Sequence, residues 1–175
     1  MFRKSVLAFL SLAVFACAAE DAKLDIQLKD VKKQSTLIIK TKAKKAEIGI
    51  ALGKVYPKVF AFLNANKIAP SAPIALYTTA DGENFEIEAG VVVPDGTKGE
   101  GEIVASELPA GKVAATIHTG PYENLPKTYA AVMEWLKTKE QKMAGPAWEV
   151  YVSDPGKTKP EELKTEVNVL VAEKK

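Results

Sequence analysis

One cysteine, one histidine and one arginine occur in 175 residues. The cysteine is Cys17 and the arginine is Arg3, so the chain beyond residue 18 carries neither type. Without a thiol that part can form no disulfide and run no thiol chemistry. His118, the lone histidine, has no second soft ligand beside it, so no metal site is expected. Bidentate readout of guanine or phosphate favours arginine, and its absence argues against a nucleic-acid partner. No Gly-rich phosphate loop, serine nucleophile elbow or carboxylate pair at motif spacing is found, and no cofactor is expected. The N-terminal apolar run, Val6 to Phe15 with Ser11 inside it, is too short to span a bilayer as a helix.

That run belongs to an N-terminal pattern. Arg3 and Lys4 precede it, and the small residues Ala16, Cys17, Ala18 and Ala19 follow. Charge, apolar core and small-residue site in that order predict a secretory signal peptide over residues 1–19, hence an exported, periplasmic or envelope location. Two forms of processing fit. Val14 to Cys17 resembles a lipobox, which would lipidate Cys17, although Phe15 stands where a small residue is usual. Ordinary cleavage after Ala18 or Ala19 fits as well. The chain has 24 basic and 22 acidic residues, and losing Arg3 and Lys4 would leave 22 of each.

Residues 20–34 are polar and lysine-rich and predict a linker running into an edge strand at Ile26 and Leu28. Strands are expected at 36–41, 74–79, 85–93, 102–106, 112–118, 148–152 and 165–171, from β-branched or alternating apolar residues between turn signals. Ile48, Leu52, Val55, Val59, Phe62 and Leu63 share one face of a first helix. Pro57 either kinks that helix or sits in a first turn beginning near Tyr56. A second helix is expected from about Asn124, as N-cap, to Gln141. Its buried face would be Leu125, Tyr129, Val132, Met133 and Leu136. Asp81-Gly82 and Gly145-Pro146 read as turns, and 94–101 as the connection between two halves.

The element order strand, helix, strand, strand occurs twice, over about 35–93 and 102–171. Tyr56 and Tyr129 lie 73 positions apart, and Tyr77 and Tyr151 lie 74 apart. A near-constant offset on a repeated order points to two copies of one unit.

The stretch His118 to Tyr151, with its HTGPYE entry, its helix and its GPAWEVY exit, resembles the GyrI-like effector-binding family. That family includes the drug-sensing domains of AraC-type and MerR-type regulators and stand-alone small-molecule binders. The resemblance covers Asp25 to Val171, within a domain over 25–172. It implies an α+β fold: two pseudo-symmetric strand-helix-strand-strand units in a curved antiparallel sheet, with both helices on one face and a ligand cleft on the other.

Alternation on 148–152 puts the apolar Trp148, Val150 and Val152 toward the helices, and Glu149 and Tyr151 on the opposite face with Ala147. In the first unit Ala75 and Tyr77 take the places of Glu149 and Tyr151. A lone glutamate on a sheet face is ordinarily just solvated. The resemblance implies instead that Glu149 is the group that meets cationic ligands, with Tyr151, Tyr77, Trp135, Tyr122 and Tyr56 as walls. Trp135 serves equally as core or rim packing, and Tyr122 and Tyr56 equally as staples at helix entries. His118 reads as a hydrogen-bonded turn residue.

The expected function is small-molecule binding with a cationic or aromatic ligand. One alternative is a hydrolase of small strained electrophiles, as some proteins resembling this family are, with Glu149 activating water and Tyr122 or Tyr151 donating a proton. Another is an envelope protein anchored through Cys17 that binds a partner.

Overall fold

The computed structural model describes residues 24–80 and 82–172. The expected signal peptide with Cys17, Asp81 of the expected turn, and residues 173–175 lie outside the described residues. In chain order the elements are β1 (Gln27–Val31), β2 (Gln34–Lys44), α1 (Ile48–Ala65), β3 (Pro73–Ala80), β4 (Asn84–Val92), β5 (Val104–Leu108), β6 (Gly111–Thr119), α2 (Leu125–Thr138), β7 (Met143–Tyr151) and β8 (Lys164–Val171). The eight strands form one antiparallel sheet in the order β1-β6-β8-β7-β3-β4-β2-β5. The expected α+β architecture is present, and the order reads symmetrically about the junction of β3 with β7. Each half crosses over once, since β1 pairs with β6 and β5 pairs with β2.

The sheet is rolled. β5 ends at Leu108 and β6 begins at Gly111, yet they occupy the eighth and second places in the order. In a flat sheet those places would be about 29 Å apart at ~4.8 Å per strand. Three residues of extended chain span only ~11 Å. The connection therefore closes only if the sheet curls until its ends approach. Leu108 of β5, Val113 and Ala115 of β6, and Ile38, Ile74 and Trp148 from the strands between them share one buried cluster.

The helices pack on the other face. Leu52, Val55, Val59 and Leu63 of α1 meet Leu37, Ala75 and Ile87. Leu125, Val132 and Leu136 of α2 meet Ala114, Ala147 and Val167. Each such valine, leucine or isoleucine side chain contributes about 1.5–3 kcal/mol of burial.

This reverses the face assignment made from alternation. Ala147, Glu149 and Tyr151 point toward the helices, and Trp148 points into the roll. The helix-free face is filled by its own side chains as the sheet curls, so the cleft lies on the helix face, between α1 and α2.

Four local expectations also change in whole or in part. α1 runs unbroken through Pro57, so it does not begin near Tyr56. Asn124 does take the N-cap position of α2, but its side chain makes no capping bond, and a short turn at Tyr122–Asn124 leads into the helix. Met133 is 39% exposed rather than buried. Gly145-Pro146 is no turn but lies inside β7, where the register with β8 shifts between Met143 and Ala147. An irregularity there spares the proline a ladder bond it cannot donate.

Candidate functional site

Glu149 sits in the middle of the sheet. Its cross-strand partners are Ala75 on β3 and Val167 on β8. Both are fully buried and face the helices, and neither carries a polar group. The carboxylate rises from an apolar floor into the gap between α1 and α2 and is only 3% exposed.

Three tyrosines hold it. The Tyr151 hydroxyl donates to Oε2 at 2.6 Å, the Tyr77 hydroxyl donates to the same oxygen at 3.1 Å, and the Tyr129 hydroxyl donates to Oε1 at 3.2 Å. Among the described residues, no lysine or histidine forms an ion pair with Glu149. Burial pushes its pKa above the usual carboxylate range, and the three hydroxyls pull against that shift. Burial also raises Tyr77, Tyr129 and Tyr151 well above an ordinary phenol, with the nearby carboxylate adding to the effect. They therefore remain hydroxyl donors at any physiological pH. A buried carboxylate with donors but no counter-ion is an incomplete electrostatic arrangement, because donors offset only part of the desolvation cost of the charge.

The rings form walls. Tyr151 is met edge-on by Tyr56 at 6.0 Å and by Tyr122 at 5.6 Å between centroids. Tyr77 meets Phe85 in the same way at 5.9 Å. The Tyr56 hydroxyl is engaged by the main-chain carbonyl of Ile74 at 3.0 Å. The cleft has a volume of about 1750 Å³ and runs along β7, reaching residues near both of its ends. It exceeds the roughly 300–1,000 Å³ of common small-molecule sites. Its charged lining residues besides Glu149 are Glu123, Asp154 and Lys45. Asp154 is held below its ordinary pKa by the Gly156 amide and by Lys157, so it stays ionised. The lining is acidic on balance, which favours positively charged guests.

Glu149, Tyr151, Tyr77, Tyr122 and Tyr56, all expected at the site, share this one cleft. Trp135 does not: it packs beside the α2 core, with the Lys139 ammonium 5.8 Å from its ring centre. Periodicity places Tyr129 on the core face of α2, and the structure makes it a direct partner of Glu149 as well. The signal was available, since Tyr129 is the counterpart of Tyr56 at the repeat offset. Phe85, which the pattern marks only as a strand residue, also lines the cleft. His118 ties the end of β6 to the start of α2. Its Nε2–H donates to the Pro121 carbonyl at 3.1 Å, and Nδ1 lies 2.8 Å from the Thr128 hydroxyl. Among the described residues there is no group of three or more side chains suited to a metal ion.

The family described as GyrI-like small molecule binding domain matches residues 24–172. Among solved structures, the EcmrR C-terminal domain is similar at TM-score 0.75 and 21% identity, covering 86% of this chain and 99% of that one. EcmrR in complex with DNA is similar at TM-score 0.75 and 22% identity over 85% of this chain, which spans 57% of EcmrR's length. SAV2435, solved bound to tetraphenylphosphonium, is similar at TM-score 0.59 and 13% identity, covering 85% of this chain and 94% of that one. A hydrolase encoded by lin2189 from Listeria innocua is similar at TM-score 0.59 and 12% identity, covering 84% and 91%. At these identities the likeness is one of fold. No curated protein matches the chain.

Proposed function

The chain belongs to the GyrI-like small-molecule binding domains, and from that premise we propose that its cleft binds an organic cation with apolar or aromatic substituents, anchored by Glu149. One observation carries the reading: a nearly fully buried carboxylate, donated to by three tyrosines, with no cationic side chain paired to it among the described residues. A guest cation supplies the missing charge, and the rings of Tyr151, Tyr122 and Tyr56 supply cation–π and apolar contact. That SAV2435, of the same fold, was solved with tetraphenylphosphonium supports the choice of that cation as a first probe. The test is calorimetric titration of tetraphenylphosphonium into wild type and Glu149→Gln. Loss of affinity in a variant that melts no lower supports the anchor role; equal affinity removes it.

A second reading is a hydrolase, favoured by the raised pKa of Glu149 and the Tyr151 hydroxyl 2.6 Å from it. A carboxylate poised nearer neutral pH beside a donor suits general acid–base catalysis. Water consumption by a strained electrophile, abolished in Glu149→Gln, would favour it over simple binding. Export of the domain is also part of our proposal and rests on the N-terminal pattern alone.

A further inference from the structure

The two helices offer different stripes to the same cleft. α2 and the turn before it present Tyr122, Pro126 and Tyr129; α1 presents Gly49, Gly53 and Tyr56. These six align at the 73-residue offset, so each glycine stands where the other half has a ring. Glycine is a poor helix former, and both lie inside α1. Neither has a left-handed backbone that would require glycine. A common structural reason for two glycines four apart on a helix is close approach of another backbone. Here a Cβ added at either position meets nothing within 4 Å. The space they leave is part of the cleft, into which the buried, counter-ion-free Glu149 also projects.

We propose that Gly49 and Gly53 set the ligand's size and shape: the cleft takes cations with a bulky apolar arm, charge at Glu149, arm over the glycines of α1 toward Phe85. The half with Tyr122 and Pro126 is narrowed by its own rings, so the arm has one way to lie. This rests on the cation reading above and adds a selection to it.

The test uses the full chain and two probes, bulky tetraphenylphosphonium and compact benzyltrimethylammonium. Gly53→Leu places a branched side chain in the arm's space and should weaken tetraphenylphosphonium at least tenfold more than benzyltrimethylammonium. Gly53→Ala should raise the melting temperature by about 2–4 °C, as a better helix former does in a domain of this size. The same variant should still shift preference toward the compact cation. If wild type binds tetraphenylphosphonium and both variants bind the two probes in the wild-type ratio, the size role is overturned while the cation reading stands. If wild type binds neither probe, both fall together.

Discussion

The two halves of the cleft share a frame and differ in a few side chains. Tyr77 and Tyr151 answer each other across the junction of β3 and β7, and Tyr56 and Tyr129 answer each other on the two helices. At the centre of that arrangement stand Ala75 and Glu149, paired residue to residue. One half supplies a methyl group and the other a carboxylate. A symmetric cleft with two acids would place two buried like charges side by side, which cannot both ionise. A cleft with none would have an uncharged floor. The difference teaches that the frame sets the shape of the hollow, while a single side chain sets the charge at its floor.

The comparison is broken most severely by making the halves alike. Ala75→Glu puts a second carboxylate beside Glu149 and should cost about 3–5 kcal/mol, the scale of an uncompensated buried charge. Thermal denaturation should show the loss, larger at pH 8 than at pH 5. Glu149→Gln makes the halves alike in the opposite sense. Cation affinity should fall about 10- to 100-fold, or ~1.4–2.8 kcal/mol, while the melting temperature in the absence of ligand stays level or rises because a desolvated charge is gone. Combining Ala75→Glu with Glu149→Gln moves the acid across the pseudo-axis, where Tyr77 and Tyr151 can donate to it and Tyr56 can do so by giving up its bond to the Ile74 carbonyl. Calorimetry should then find cation affinity restored to within about tenfold of wild type.

Acidity gives a smaller effect with a definite sign. The pKa of Glu149 is raised on folding, so the folded state holds this proton more tightly than the unfolded chain. Its contribution to stability is therefore most favourable below the ordinary carboxylate value of 4.5, and declines as pH rises from there through the raised folded pKa. Cation affinity runs the other way, falling as the pH drops through the same range. Smallest is the contrast between the helix tyrosines. Tyr129→Phe removes a donor to the carboxylate, so cation affinity and its pH midpoint should move. Tyr56→Phe removes a bond to a main-chain carbonyl and should cost about 1 kcal/mol of stability with no shift in that midpoint.

Much of this fold was legible because the strands alternate and the helices carry clean stripes. What alternation does not say is which of the two sets on β7 meets the helices. In a sheet packed on one face only, the set with the polar residue would look outward, which put Glu149 on the wrong side. Rolling the sheet buries both faces, so Trp148 had its own apolar home and left the helix side to Ala147, Glu149 and Tyr151. Tyr129 was hidden for a related reason. It lies on the apolar stripe of α2, and nothing in periodicity separates a ring that fills a core from one that lends its hydroxyl to an acid. Gly49 and Gly53 were invisible because helical periodicity records the residues that pack, and these do not. Gly145-Pro146 read as a turn by composition, although an irregular strand tolerates the same pair.

The central claim is that the ionised carboxylate of Glu149 is what receives the cation. It is tested most directly by calorimetric titration of tetraphenylphosphonium in buffers of different ionisation enthalpy, as pH is lowered from neutral. Wild type should release up to one proton per cation bound near the raised pKa of Glu149, and Glu149→Gln none. Binding of equal strength in both proteins, with no proton released at any pH, would contradict the account.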